Sequence, residues 1–216
     1  MSTVMQHSDP ATMMSYAAGS LSEPLAAVVA AHLAMCPRCR AEVADMEMIG
    51  ASLMFRMDCV EPAKAMRVPE LAGEAGPKTV ERHAVGLGEK LPRTIASAYG
   101  LSFDSIPWKR LGPGVWHHRL PLSKGVEGDL RLLKIGPGRV MPDHGHGGSE
   151  LTLVIEGAYS DVTGVYARGD MQDVDESVEH TPIADRDVGC VCLIASERPA
   201  RFKSFMGKLI QPWTGM

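Results

Sequence analysis

The stretch GRVMPDHGHGGSELTLVIEG, residues 138–157, contains the residues that decide the fold of the second half of this chain. His144 and His146 are separated by one residue, and Glu150 follows four residues after the second histidine. If the chain is extended here, the three side chains leave the same face, because successive side chains of a strand alternate. Two imidazoles and a carboxylate directed at one point can hold a metal ion, so the stretch predicts a metal site on a β-sheet.

The sequence around this stretch predicts an all-β domain. Beyond Trp108, short runs of Val, Leu and Ile are separated by glycine and proline. The runs are VWHHRLPL, LRLLKIGPGRVMPDHGH, ELTLVIEGAYSD, VGCVCLIASE and ARFKSFMGKLI. Runs of this length with turn residues between them are typical of a β-sandwich or barrel.

The N-terminal part, up to about residue 60, predicts a small helical bundle instead, because it is rich in Ala, Met, Leu and Glu. We expect three helices, from Pro10 to Ala18, from Ser22 to about Ala34, and from Pro37 to about Met57. In the third helix, apolar residues recur every three or four positions, at Val43, Met46, Ile49, Leu53 and Met57. Ten of the 14 methionines fall in the first 66 residues, which indicates either an adaptable binding surface or, more simply, helix-core filling.

The two parts are joined by a segment, residues 62–88, in which proline and glycine alternate with charged residues. This composition predicts a linker that carries a short helix around 69–75 or 80–84. We therefore expect an α+β protein of two domains, a helical bundle with its linker over residues 1–85 and an all-β barrel over residues 86–216. At 216 residues and 45% hydrophobic content, the chain is long enough for two modest cores.

The composition and the charge of the chain restrict the cellular location that we expect for the protein and the kind of partner that it binds. The formal net charge of -4 and the pI near 6.1 give no reason to expect direct nucleic-acid binding, which depends on a dense basic surface. The N-terminus, MSTVMQHSDP, lacks the basic start and apolar run of a secretory signal, and the longest apolar stretch, residues 25–35, is too short to span a membrane. We expect a cytoplasmic protein whose partner is another protein or a small ligand.

Three residues near the end of the second expected helix form the pattern H-x3-C-x2-C, namely His32, Cys36 and Cys39. Two cysteines three apart at a helix start can face the same point, and the helix N-terminus favours their thiolates. A tetrahedral zinc ion needs one more ligand, for which His7 is the expected residue and Cys59 the alternative. The other interpretation is a redox CxxC pair with an incidental histidine.

His7 together with the sequence HLAMCPRC, in a three-helix context, resembles the zinc-binding anti-sigma family. The resemblance implies a small helical domain that binds an extracytoplasmic-function sigma factor.

The opening stretch resembles a second family. The first cupin motif, G-x5-H-x-H-x3-E-x6-G, is matched at every fixed position, by Gly138, His144, His146, Glu150 and Gly157. This resemblance implies that the all-β domain is a cupin barrel with metal ligands converging inside it.

The second cupin motif contributes one more histidine, and His180 is the only candidate after His146. Its surroundings depart from the family pattern, because Gly169 lies eleven positions ahead of it instead of three, and Ala184 stands where an asparagine is common. With His180, the resemblance implies a site of three histidines and one glutamate. We expect zinc there, with iron or manganese as alternatives.

Two residue pairs in this half are less specific. His117 and His118 are adjacent, so at most one faces the inside of a barrel, and a packing or surface role is expected. Cys190 and Cys192 share a strand face and are either a thiol pair near the metal or, more simply, buried core residues.

A helical zinc domain followed by a cupin is similar to the ChrR-type anti-sigma factors over nearly the whole chain. The resemblance implies a regulator without enzymatic activity. Its N-terminal domain would cover the promoter-reading and polymerase-binding surfaces of the sigma factor. Its cupin domain would be needed for release under photooxidative stress such as singlet oxygen, with the linker carrying the signal.

The residues themselves leave two other functions open. One is a metal-dependent dioxygenase-type cupin enzyme with a helical partner-binding domain, and the other is a metal-storage or metal-delivery protein. The signal molecule, a need for proteolysis and the oligomeric state do not follow from the sequence.

Overall fold

The computed structural model describes residues 4–58 and 90–202. It confirms the α+β fold class, with helices first and an antiparallel cupin-like sheet after them. The helices are α1 (Pro10–Ala17), α2 (Glu23–Met35), α3 (Pro37–Met54) and α4 (Arg93–Tyr99). Within the described ranges, none of these helices has the length and apolarity needed to cross a membrane.

The first three helices lie where the sequence predicts them, and local signals explain why. At the start of α1, the Asp9 carboxylate accepts the backbone N–H of Ala11 at 2.7 Å, and Pro10 occupies the first turn. The chain leaves this helix through Gly19, whose φ of 68° favours glycine. Pro24 and Pro37 stand in the first turns of α2 and α3.

Helix α4 was not predicted. It has seven residues, too few for a recognisable apolar period, and only Ile95 among them is buried. It contacts α2, so its helical state depends on packing that the local sequence does not reveal.

The strands of the described residues form two sheets, and each of their pairings is antiparallel. The larger sheet contains β1 (Lys109–Gly112), β2 (Val115–Arg119), β3 (Asp129–Ile135), β5 (Glu150–Asp161), β6 (Gly164–Ala167), β7 (Met171–Val174), β9 (Ile183–Ala184) and β10 (Cys190–Ser196). The smaller sheet contains β4 (His144–Gly145), β8 (Glu179–His180) and β11 (Arg201–Phe202). The expected all-β architecture is confirmed, but the short strands β1, β6, β7 and β9 were not foreseen.

Strand β10 lies between β3 and β5 at the centre of the larger sheet. Both faces of these strands are buried, which explains why their sequences are nearly continuous apolar runs. One face contributes Leu130, Leu132, Leu151, Leu153, Val191 and Leu193 to one apolar cluster. The other face contributes Leu133, Ile135, Val154, Cys190 and Cys192 to a second cluster.

The first of these clusters is shared with the helices. Helix α2 contacts β3, β5 and β10, and its Val28 and Val29 have no exposed surface. Both valines belong to the same cluster as Leu153 and Leu193. The described part of the chain thus has two cores, but they do not correspond to one core for each domain. The helices and the outer face of the sheet form one core together.

The predicted domain boundary between residues 85 and 86 lies outside the described residues, as do both suggested linker helices and Cys59. These remain predictions.

Candidate metal centres

The first candidate centre is the one expected at the end of α2. His32 lies in the last turn of this helix, Cys36 between α2 and α3, Cys39 in the first turn of α3, and His7 ahead of α1. The structure brings one ligand atom of each residue within 4.8 Å of the other three. The four residues predicted to form a zinc site are therefore together.

Their spacing suits a tetrahedral metal. His7 Nδ1 lies 3.2 Å from Cys39 Sγ and 3.6 Å from Cys36 Sγ, and His32 Nε2 lies 3.3 Å from Cys39 Sγ. Zn–N and Zn–S bonds in tetrahedral geometry place neighbouring ligand atoms about 3.3–3.8 Å apart. The group can close around a single ion with little movement.

The electrostatics of the group also favour a cation. Burial lowers the pKa of His32 to about 4, so the imidazole is neutral at pH 7 and free to bind a metal. Burial and the neighbouring Cys36 raise the pKa of Cys39 to about 12. The Cys39 thiol therefore stays protonated at pH 7 in the metal-free protein, and a bound cation would be needed to stabilise its thiolate.

The second candidate centre contains the residues of the opening stretch. Ligand atoms of His144, His146, Glu150 and His180 lie within 4.8 Å of one another. They do not share one extended strand, as the spacing first indicated. His144 lies on β4, Glu150 begins β5 in the other sheet, and His146 lies between the strands.

His180 enters this group through strand pairing. On β8 it is the direct partner of His144 on β4, and their Nε2 atoms are 3.2 Å apart. The sequence around His180 departs from the cupin motif, but His180 still lies with the other three expected ligands.

Each histidine of this group is oriented by its other ring nitrogen. His144 Nδ1 contacts the carbonyl oxygen of Pro142 at 2.8 Å, and His146 Nδ1 contacts that of Val178 at 3.2 Å. His146 Nε2 is buried and, among the described residues, has no hydrogen-bond partner. The nearest carboxylate oxygen of Glu150 is 3.5 Å from it. A buried nitrogen that lacks a hydrogen-bond partner among the described residues and lies 3.5 Å from a carboxylate fits a metal ligand.

Sequence reasoning missed Asp161, which orients His180. Its carboxylate accepts the Nδ1–H of His180 at 2.6 Å and also hydrogen bonds from Thr163 and Gln172. Burial alone would raise the pKa of Asp161, but these hydrogen bonds outweigh it and hold the pKa well below its usual value. A carboxylate–histidine pair of this kind supports metal ligands in many proteins. Asp161 lies at the far end of β5 from Glu150, so nothing in the local pattern connects it to the group.

A cavity inside the barrel adjoins the second centre. It is lined by His144, Glu150 and His180 and by both Cys190 and Cys192. The two cysteines also belong to the inner apolar cluster, as expected of buried core residues, and a role as a thiol pair near the metal stays a prediction.

His117 and His118 are not part of either centre. The side chain of His117 is buried and that of His118 is half-buried. This agrees with the packing role expected for them.

Comparisons with known proteins agree with this architecture. Residues 97–199 match the ChrR cupin-like domain, and residues 11–40 match a zinc-finger family. Over 214 residues, the chain is 39% identical to the anti-sigma-E factor ChrR of Cereibacter sphaeroides, and the match covers 98% of each chain. The crystal structure of Rhodobacter sphaeroides SigE in complex with the anti-sigma ChrR matches with a TM-score of 0.75 and 36% identity, covering 90% of this chain and 99% of that chain.

These matches run through both halves and both metal centres. They favour a regulator over a dioxygenase-type enzyme, because the similar proteins are named as regulators. The chain belongs to the family of ChrR anti-sigma factors.

Proposed function

We propose that this protein binds and inhibits an extracytoplasmic-function sigma factor through its helical half. We further propose that its cupin half is needed to release the sigma factor under photooxidative stress such as singlet oxygen. Since an inhibitor of a sigma factor acts where RNA polymerase is found, the proposed location is the cytoplasm.

The observation that carries the sigma-binding part is an apolar surface around the C-terminal end of α3. We call it the α3 patch, and it consists of Met48, Ile49, Leu53, Met54, Phe55 and Met57, which are between 58% and 92% exposed. Large apolar side chains that are exposed this close together in the chain are typical of a protein interaction site.

The exposure of the methionines supports the proposal that part of this half is an adaptable binding surface. Met13 is buried in the core, as helix-core filling would require, but Met48, Met54 and Met57 are exposed. The unbranched, polarisable methionine side chain adapts to a partner's surface. The apolar residues that recur along α3 support the same interpretation. Val43, near the start of the helix, is buried, whereas Leu53, near its end, is exposed.

A sigma factor is the partner proposed for this surface because a similar protein was crystallised with one. That protein is ChrR in its complex with SigE.

The transcription assay that tests this part uses core RNA polymerase, the sigma factor of the same cell and the full-length protein. The variant I49D/L53D should need at least a tenfold higher concentration to inhibit transcription, because the new charges on the patch would have to lose their water on binding. The matched control is V162D, an exposed valine of the cupin half. Equal inhibition by both variants would show that the patch does not bind the sigma factor.

The metal part of the proposal assigns one ion to each centre. Zinc is proposed on His7, His32, Cys36 and Cys39 because two sulfur and two nitrogen ligands suit it. In the cupin half, His144, His146, Glu150 and His180 would hold a second ion, for which zinc is also proposed. As a redox-inert ion, zinc would set the conformation of the barrel without oxidation chemistry of its own.

Elemental analysis of the purified protein checks these assignments. We expect about two zinc ions per chain, falling to about one in C36S/C39S and to about one in H144A/H180A. Stoichiometric iron that is lost only in H144A/H180A would contradict the zinc assignment and favour an oxygen-dependent enzyme. Retention of both zinc ions in C36S/C39S would show that the cysteines are not ligands.

A further inference from the structure

The N-terminal centre is not built by the helical half alone. His32 Nδ1 contacts the carbonyl oxygen of Gly169 in the cupin half at 3.0 Å, which leaves Nε2 for the metal. Gly169 has a φ of 93°, and a Cβ there would lie 2.8 Å from the Val4 side chain. The turn that presents this carbonyl therefore depends on glycine and touches the N-terminal segment.

The segment that carries His7 is fastened to the same turn and to strand β7. The Asp170 carboxylate, which is buried, accepts the backbone N–H groups of Met5 at 2.6 Å and Gln6 at 3.0 Å. Three further bonds continue the attachment: Met171 N–H to Gln6 O at 3.1 Å, Ser8 Oγ–H to Asp173 at 2.5 Å, and Asp9 N–H to Asp173 at 3.0 Å. His7 thus lies in a stretch bound to the cupin on both sides.

The same strand reaches the cupin centre. Gln172, between Met171 and Asp173, donates from Nε2 to the Asp161 carboxylate at 2.8 Å. Asp161 in turn accepts the hydrogen bond of the metal-site residue His180 at 2.6 Å. One short segment, residues 167–174, therefore contacts the supports of both centres.

We propose that residues 167–174 couple the two metal centres, with Gly169, Asp170 and Asp173 acting as positioning residues for the N-terminal centre and Gln172 connecting to the cupin centre. This deepens the proposed function and rests on its metal assignments. A change at the cupin centre would alter the contacts that hold His7 and His32, and thereby the helical half that carries the α3 patch. The linker was the expected route, but the described residues provide this direct one.

The proposal has a thermodynamic consequence. Two sites coupled through a shared element affect one another by the same free energy in both directions. Loosening the 167–174 segment should therefore weaken metal retention at the N-terminal centre. Perturbing the cupin centre should also weaken retention at the N-terminal centre, but only in a protein whose 167–174 segment is intact.

The test uses the full-length protein loaded with Co²⁺. Cobalt bound to thiolates gives a sulfur-to-metal charge-transfer band, which should vanish in C36S/C39S and so reports the N-terminal centre alone. The rate at which EDTA removes this band measures retention. We expect D173A and D170A to release cobalt about tenfold faster or more, the usual scale for residues that support metal ligands. D170N retains one acceptor oxygen and should be intermediate, and D187A, an exposed aspartate in the turn before β10, should behave as the unmodified protein.

The coupling itself is measured by a double-mutant cycle. H180A should also speed release of cobalt from the N-terminal centre, and it should have no added effect in D170A. Thermal unfolding of each variant shows whether it is folded. If D170A does not fold, S8A replaces it in the test, because this substitution removes the hydrogen bond from Ser8 to Asp173 on the side of the helical half. Unchanged release in D173A and S8A, or no effect of H180A, would overturn the proposal. Absence of the thiolate band in unmodified protein would instead refute the metal assignment, and neither result depends on sigma binding.

Discussion

His32 shows how one residue can link burial, metal binding and pH. Because burial lowers its pKa to about 4 from 6.5, the unfolded chain takes up a proton between these values while the folded chain does not. The stability that follows from the neutral imidazole is present above pH 6.5 and is lost as the pH falls toward 4.

We therefore expect the free energy of unfolding of the metal-free protein to fall by up to about 3 kcal/mol on going from pH 6.5 to pH 4. Urea unfolding measured at several pH values tests this. In H32Q the slope over this range should be shallower, because its largest single contributor is missing. An identical slope in H32Q would contradict a buried, neutral His32.

At the same scale, Asp161 gives a prediction about the cupin centre. D161N keeps the size of the side chain but removes the charge that holds His180 in place. Metal affinity at this centre, measured by competition with a chelator, should fall about 10- to 100-fold. The matched control is D185N, an aspartate whose side chain accepts hydrogen bonds only within the turn before β10 among the described residues. Equal affinities of D161N and the unmodified protein would show that Asp161 does not support a ligand.

The helices and strands differ in how well they can be predicted from the local sequence. Helices α1 to α3 were predicted within one to three residues, because capping residues and prolines mark their starts, and the metal-ligand motifs were recognisable by spacing. Strands β4 and β8 are two residues long, and their pairing across 36 positions brings His144 to His180. Local patterns cannot show such pairing, nor the contact between α2 and the sheet.

Two glycines in different elements give opposite predictions for stability. G169A should destabilise the protein by roughly 1–3 kcal/mol, because alanine is strained at a φ of 93° and its Cβ would meet Val4. G50A in helix α3 should stabilise it by roughly 0.5–1 kcal/mol, since nothing lies within 4 Å of the added Cβ. Chemical denaturation distinguishes the two, and a neutral G169A would contradict the tight turn described here.

For the whole molecule, the shared core changes what a fragment is expected to do. Residues 1–85 carry the α3 patch and the N-terminal ligands, so we predict that they inhibit the sigma factor alone. Removing the sheet takes away apolar surface that α2 contacts, at a cost of roughly 1.5–3 kcal/mol for each α2 side chain that becomes fully exposed. The fragment should therefore be less stable than the same helices in the full chain. Inhibition by the full chain but not by a folded fragment with its metal bound would place part of the sigma-binding surface in the cupin half.

The central claim is that one half holds the sigma factor while the cupin centre governs its release. A promoter reporter in cells carrying H144A, H146A, E150A or H180A, with and without a singlet-oxygen source, tests it most directly. We predict low expression without stress in every variant and no rise with it. The N-terminal ligands and the α3 patch are retained, so loss of the cupin ion weakens the N-terminal centre without abolishing it, while the sensing centre is lost. High expression without stress, or a normal rise with it, would contradict the claim.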